Sequence, residues 1–200
     1  MCAISQAHQA AGFDSPTQMA PVGTVLVGIR HAKCTAPACK APVLIGDLSQ
    51  MVGTVPDGLL GGRDRALLLL GFGGAFPRSE LVGLDIADLD FRSDGLVVTL
   101  GRSKTDQEGA GRKVGIPFGS TPATCPVRAV RARLDACGIS EGPLFRPVNR
   151  HGQLQAGRLS DEAVALVVKR YVAQIGKDGR NFARHSLRAG PATVAAIAGA

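Results

Sequence analysis

The chain has 200 residues, of which 45% are hydrophobic, so it is long enough to bury the core of one ordinary domain and part of another. The formal charge is +7, but residues 1–125 carry 11 basic and 11 acidic residues while residues 126–200 carry 12 and five. The odd count of five cysteines argues against a disulfide framework, and the longest apolar run, residues 66–76, is too short to span a membrane. Since the sequence also shows no export signal, we predict a cytoplasmic protein.

Residues 1–41 predict one weak amphipathic helix followed by a linker. Apolar residues recur at helical spacing at Met19, Val22, Leu26 and Ile29. Residues 33–42 hold two prolines and two cysteines among small residues, which is typical of a connection. His31, Cys34 and Cys39 lack a fourth partner at a usual zinc spacing, so we predict no metal site.

A compact domain is predicted to begin near Pro42 with three helices. The first covers Val43 to Val55, with Asp47 as its cap, and the second covers Ala66 to Phe72. The second is apolar nearly all round, so we expect it at the centre of the core. One or two helical turns follow Pro77, over Arg78 to Leu84.

The hydrophobic period then changes to that of strands. Three short strands are predicted at Leu89–Phe91, Gly95–Leu100 and Lys113–Pro117, with a glycine-rich connection over residues 101–112. The predicted fold class is α+β, mostly helical, with a small three-stranded antiparallel sheet.

Three helices complete the chain. The first begins near Cys125, with a stripe of Val127, Val130 and Leu134 and with Arg128, Arg131 and Arg133 largely off it. The second follows the good caps Ser160 and Asp161. It places Tyr171, the sole tyrosine, on an apolar stripe, so we expect a core aromatic with its hydroxyl at the edge. The last begins at His185, and Pro191 is predicted to interrupt it.

The stretch Arg184-His185-Ser186-Leu187-Arg188 has the composition of an anion site. At a helix start, His185 and Arg188 share one face near free backbone N–H groups, and a phosphate suits such donors. The basic last third favours a polyanion such as nucleic acid. The open alternatives are an ordinary basic helix start and a charge excess that only aids solubility.

Four motifs in order carry a specific resemblance. They are the run Gly62-Arg63-Asp64-Arg65-Ala66-Leu67-Leu68-Leu69, then Arg78-Ser79-Glu80-Leu81, Lys104 on a sheet connection, and His185-Ser186-Leu187-Arg188-Ala189-Gly190. With the strands between them, these motifs resemble the catalytic domain of tyrosine recombinases, the phage integrase family. The resemblance covers about residues 42–200, and residues 1–41 resemble the remnant of that family's N-terminal core-binding domain with its linker.

The resemblance implies site-specific recombination and integration of double-stranded DNA, such as that of mobile elements, with neither metal nor nucleotide cofactor. A tyrosine of the family attacks a DNA phosphate, two arginines and a histidine hold the non-bridging oxygens, and a lysine protonates the departing 5′ oxygen. By position, Arg188 matches the second arginine, His185 the histidine and Lys104 the lysine. The neighbouring basic residues predicted to contact DNA are Arg102, Arg112, Lys113 and Arg184.

Two departures from the family pattern predict an inactive chain. Pro77 occupies the position of the first arginine, three residues before Glu80, and Arg78 lies about 100° further around the helix. Arg78 replaces that arginine only if Pro77 re-aims the helix start; the alternative is a surface or packing arginine. The nucleophilic tyrosine of the family lies downstream of the His-x-x-Arg motif, whereas Tyr171 precedes it. We therefore expect a catalytic domain over residues 42–200 that lacks its C-terminal segment. The alternative is a non-catalytic DNA-binding or regulatory fragment, which self-associates or associates with intact recombinases.

Overall fold

The computed structural model describes residues 3–32, 40–101, 111–182 and 186–198. The chain divides into two compact units, Met1–Cys39 and Lys40–Ala200, each with its own internal contacts. The helices are α1 Ala3–Ala10, α2 Ala20–Ala32, α3 Ile45–Gly53, α4 Leu59–Gly73, α5 Arg78–Gly83, α6 Pro126–Cys137, α7 Asp161–Gln174 and α8 Ser186–Ala198; the strands are β1 Leu89–Phe91, β2 Gly95–Leu100 and β3 Arg112–Pro117.

The first unit consists of α1, a 3-10 turn at Pro16–Gln18 and α2. Three hydroxyls, those of Ser5, Ser15 and Thr17, lie 2.8 Å from one another and join α1 to the turn. The predicted apolar stripe is a helix only from Ala20, and Met19 and Ile29 are 59% and 46% exposed. Helix α1 was not anticipated from the sequence.

The second unit is organised around α4. The five residues from Ala66 to Leu70 are at most 2% exposed, so this part of α4 is buried on every side, as its continuous hydrophobicity predicts. Helices α3, α5, α6, α7 and α8 all pack against it. The predicted position at the centre of the core is therefore confirmed.

The sheet is antiparallel in the order β1-β2-β3. Its register pairs Leu89 with Val98 and Val98 with Val114, which places these apolar side chains on one face of the sheet. Leu96, Val98, Leu100 and Ile116 are buried there. The three strands were predicted to within one residue, since β3 begins at Arg112 rather than Lys113.

A long irregular segment between α6 and α7 is fastened to the end of α5. The guanidinium of Arg158 donates to the carbonyls of Val82 and Leu84, at 2.8 and 3.1 Å, and to Asp85 at 2.6 Å. The backbone N–H of Leu144 also donates to the carbonyl of Leu84. These bonds satisfy carbonyls at the C-terminal end of α5, a six-residue helix that forms few backbone hydrogen bonds of its own.

Three local expectations were wrong. Asp47 does not cap α3, which begins at Ile45 with Leu44 as its N-cap; it is buried instead and accepts a bond from Lys177 at 2.6 Å. Helix α8 continues through Pro191, because Gly190 and Leu187 pack tightly and hold the helix despite one lost backbone bond. Arg133 is not off the stripe of α6 but 1% exposed.

Arg133 is an unusual group for a protein interior. Its nitrogens Nε, Nη1 and Nη2 find no hydrogen-bond partner in the part of the chain that the structure describes. Burial lowers the pKa of this guanidinium, because the charged form loses its hydration. A buried charge without hydrogen bonds destabilises the folded state.

We therefore predict that Arg133→Met increases stability. Replacing the guanidinium by an apolar side chain of similar length should raise the free energy of unfolding by about 2 kcal/mol in urea titrations. The matched control is Arg131→Met on the same helix, where the arginine is exposed and the substitution should give no gain. Equal or lower stability of Arg133→Met would contradict the prediction.

Candidate nucleic-acid interface

The first turn of α8 presents Arg188 to solvent from a fixed backbone. Ser186 and Leu187 are buried at 1% and 3% exposure, whereas Arg188 is exposed. The backbone N–H of Val43 donates to the carbonyl of Ser186 at 3.0 Å. Among the described residues, Arg188 takes part in no ion pair. Its guanidinium is therefore available to an anion, while the helix that carries it is held at its start.

Two glycines allow α8 to approach the core closely. A Cβ atom on Gly71 of α4 would lie 2.9 Å from Cδ2 of Leu81 and 3.3 Å from Cδ1 of Leu187. A Cβ atom on Gly190 would overlap the carbonyl oxygen of Val43 and the ring of Phe72. Leu81 of α5 and Leu187 of α8 thus meet at one point on α4. Glu80 precedes Leu81 in sequence, and Arg188 follows Leu187.

The beginning of α5 holds the Ser-Glu-Leu motif with Pro77 as its N-cap. Arg78 forms an ion pair with Asp161 in the first turn of α7, with 3.1 Å between Nη2 and Oδ2. The Arg78 side chain is 24% exposed, so it connects two helices at the surface. This contact favours a packing role for Arg78 over replacement of the arginine that the family pattern places at position 77.

The start of β3 adds two cations on opposite faces of the sheet. Arg112 pairs in register with Leu100, and Lys113 pairs with Thr99. Because neighbouring residues of a strand point to opposite faces, these two side chains diverge. Nη2 of Arg112 lies 3.4 Å from Oε2 of Glu80, so this arginine reaches α5, whereas Lys113 is exposed.

Four of the predicted site residues lie outside the described residues. Arg102 and Lys104 belong to residues 102–110, and Arg184 and His185 to residues 183–185. Arg188, Arg112 and Lys113 are described: Arg112 contacts Glu80 of α5, and Arg188 follows Leu187, which packs near Gly71 of α4. The convergence of Lys104, His185 and Arg188 on one phosphate stays a prediction.

Tyr171 lies in the interior and not at a reactive surface. It is 1% exposed, and its hydroxyl donates to Oδ2 of Asp64 at 3.0 Å. Oδ1 of Asp64 accepts from Nε and Nη2 of Arg63 at 2.9 and 2.6 Å, and Nη1 of Arg170 lies 3.5 Å from Oδ2. Burial, together with the charge of Asp64, raises the pKa of Tyr171 to about 12. The hydroxyl is therefore buried and bonded, not at the edge as expected.

Two arginines of α6 cover aromatic rings, which was not predicted from the sequence. Cζ of Arg131 lies 5.0 Å from the ring centre of Phe91 and 5.7 Å from that of Phe118. Cζ of Arg128 lies 5.3 Å from the ring of Phe118. Cation–π contacts of this kind fix the two guanidinium groups at the surface. The spacing of three residues places both arginines on one helix face, which was the available sequence signal. Their aromatic partners are distant in sequence, so the contacts could not be predicted.

The described residues contain no cluster of three or more His, Cys, Asp or Glu able to hold a metal ion. None of the described helices has the length and apolarity needed to cross a bilayer.

Comparisons with known proteins point to one family. The chain is 42% identical over 198 residues to the integrase/recombinase xerD homolog of Selenomonas ruminantium, an alignment that covers 97% of this chain and 58% of that protein. It is 33% identical over 145 residues to tyrosine recombinase XerC of Syntrophus aciditrophicus (strain SB), covering 72% of this chain and 44% of that protein. The chain thus spans about half the length of these relatives. No protein-family model matches it.

Solved structures resemble the fold. One is a XerH site-specific recombinase bound to difH substrate in a pre-cleavage complex, with a TM-score of 0.57 and 14% identity over 80% of this chain and 44% of that chain. Another is the same recombinase on a palindromic difH substrate in a post-cleavage complex, with a TM-score of 0.56 and 15% identity over 80% and 43%. At this identity the likeness concerns the fold, and it confirms the predicted fold class.

The buried hydroxyl of Tyr171 makes stability depend on pH in alkaline solution. An unfolded tyrosine ionises near pH 10, whereas folded Tyr171 keeps its proton until about pH 12. The folded state therefore binds more protons in this window, and the free energy of unfolding should fall by up to about 3 kcal/mol as pH rises through it.

Tyr171→Phe tests this effect. The variant should lose about 1–3 kcal/mol at neutral pH, because Asp64 loses a donor, but should lack this part of the alkaline decline. Since Tyr171 is the sole tyrosine, the ultraviolet absorbance of tyrosinate reports its ionisation directly. An ordinary tyrosine titration in the folded protein would contradict the assignment.

Proposed function

The chain belongs to the tyrosine recombinase family, and from this premise we propose that residues 42–200 form a recombinase catalytic domain that binds double-stranded DNA by holding a backbone phosphate at Arg188. The observation that carries the proposal is the exposed guanidinium of Arg188 on a helix start that Val43, Gly71 and Gly190 hold in place. A guanidinium fork carried on a fixed helix start suits the oxygens of a phosphate. The names of the relatives support the same reaction class.

The chemistry proposed for the site is electrostatic. In phosphoryl transfer, negative charge accumulates on the non-bridging oxygens, and cations fixed beforehand lower that barrier. In our proposal Arg188 and His185 contact those oxygens, and Lys104 occupies the position of the proton donor to the 5′ oxygen, a role that requires a nucleophile to be supplied. The roles of His185 and Lys104 rest on the sequence motifs.

We further propose that the 200 residues do not cleave DNA by themselves. A tyrosine nucleophile needs an accessible hydroxyl and easier ionisation, whereas Tyr171 is 1% exposed, donates to Asp64 and has its pKa raised to about 12. Pro77 also brings no charge to the first turn of α5. The chain then acts as a binder of the DNA backbone.

Arg188→Ala should weaken DNA binding. With a 30-base-pair duplex of arbitrary sequence, loss of one phosphate contact should reduce affinity about tenfold at 0.1 M salt and lower the salt slope by about 0.9. Arg92→Ala is the matched control, since Arg92 is exposed and already paired with Asp90 at 2.8 Å. Equal affinities of Arg188→Ala and Arg92→Ala would contradict a phosphate contact at Arg188.

A covalent-adduct assay separates binding from cleavage. We expect no protein–DNA adduct on a denaturing gel when the 200-residue chain is incubated with nicked half-site duplexes under conditions in which it retards them on a native gel. An adduct that persists in Tyr171→Phe would show that another nucleophile operates. An adduct that Tyr171→Phe abolishes would show that Tyr171 leaves its buried position.

A further inference from the structure

We propose that Arg112, held by Glu80, supplies the second guanidinium of the phosphate site and so replaces the cation that Pro77 does not provide. This inference rests on the proposed function, because it assigns a second contact to the phosphate bound by Arg188. The pair Glu80–Arg112 is distant in sequence, and none of the four sequence motifs contains both residues.

Glu80 lies beside Pro77 on the first turn of α5. Pro77 is the N-cap of α5 and Glu80 is its third residue, and side chains at these two helix positions are neighbours. The Glu80 side chain is 25% exposed, and its carboxylate lies 3.4 Å from the guanidinium of Arg112. Arg112 therefore brings its charge to the turn of α5 that Pro77 begins.

The guanidinium of Arg112 has spare bonding capacity. A guanidinium has five N–H donors, and only Nη2 of Arg112 is directed at Glu80 among the described contacts. The Arg112 side chain is 60% exposed. It can therefore keep its bond to the carboxylate and offer its other donors to a phosphate, with Glu80 fixing its orientation.

Helices α5 and α8 come together over Gly71. Leu81, which follows Glu80, and Leu187, which precedes Arg188, would both contact a Cβ atom placed on that glycine. The side chains next to Glu80 and Arg188 in sequence thus pack on the same point of α4. In the proposal, a phosphate bound to Arg188 also reaches the guanidinium of Arg112 that Glu80 holds.

The nearby cations fit the role less well. Arg78 is engaged by Asp161 of α7 at 3.1 Å. Lys113 points to the opposite face of β3 from Arg112.

The test is a thermodynamic cycle between positions 77 and 112, measured as affinity for a 30-base-pair duplex at 0.1 M salt. Arg112→Ala should weaken binding about tenfold and lower the salt slope by about 0.9, whereas Arg92→Ala should not. Pro77→Arg should strengthen binding. In the Pro77→Arg background, Arg112→Ala should weaken binding less than about twofold, because the new arginine supplies the contact. An equal loss of affinity from Arg112→Ala in both backgrounds would overturn the inference.

A second cycle keeps the inference testable if Pro77→Arg does not fold, as judged by circular dichroism. Arg112→Ala and Arg188→Ala should combine less than additively, because both residues hold one phosphate. Strict additivity would mean separate phosphates and would overturn the inference. The two failures give different results. If the proposed function is wrong, Arg188→Ala binds DNA with unchanged affinity. If only this inference is wrong, Arg188→Ala binds more weakly, and Arg112→Ala has the same affinity as Arg92→Ala.

Discussion

The second unit depends on the hydrogen bonds and ion pairs that surround the buried carboxylate of Asp64. This carboxylate lies on the central helix with no exposure, accepts two bonds from its neighbour Arg63 and one from Tyr171, and lies near Arg170. A buried carboxylate is tolerated only when such donors surround it, and here they come from both α4 and α7. The relative position of these two helices is therefore set by a polar network as well as by apolar packing. This network also retains the sole tyrosine in the interior.

The arrangement of the candidate site follows from the same central helix. Since α4 is apolar on every side from Ala66 onward, α5 and α8 can both pack on it, and Gly71 lets their leucines meet. Each helix then carries an adjacent polar residue to the surface at the junction. The core thus positions Glu80 and Arg188 without any direct bond between them among the described contacts.

Local patterns predicted the elements better than their partners. The strands followed from the change in hydrophobic period, and α4 from its continuous apolar run. The prediction for Arg133 was wrong because it followed the charge of the side chain and not its spacing. Arg133 lies three residues after buried Val130 and shares its helix face. Pro191 was misread because packing of Gly190 overrides a local preference. The contacts Glu80–Arg112 and Asp64–Tyr171 join residues 32 and 107 positions apart, so no local pattern contains them.

The hydrogen bonds of Arg158 to the end of α5 restrict the movement of that helix. Rotation of α5 would break its bonds to two carbonyls and to Asp85, as well as the backbone bond from Leu144. The bonds therefore oppose rotation of α5, whereas exposed arginine side chains reorient rapidly. In the proposed function, adjustment to DNA would then occur by rotamer changes of these side chains.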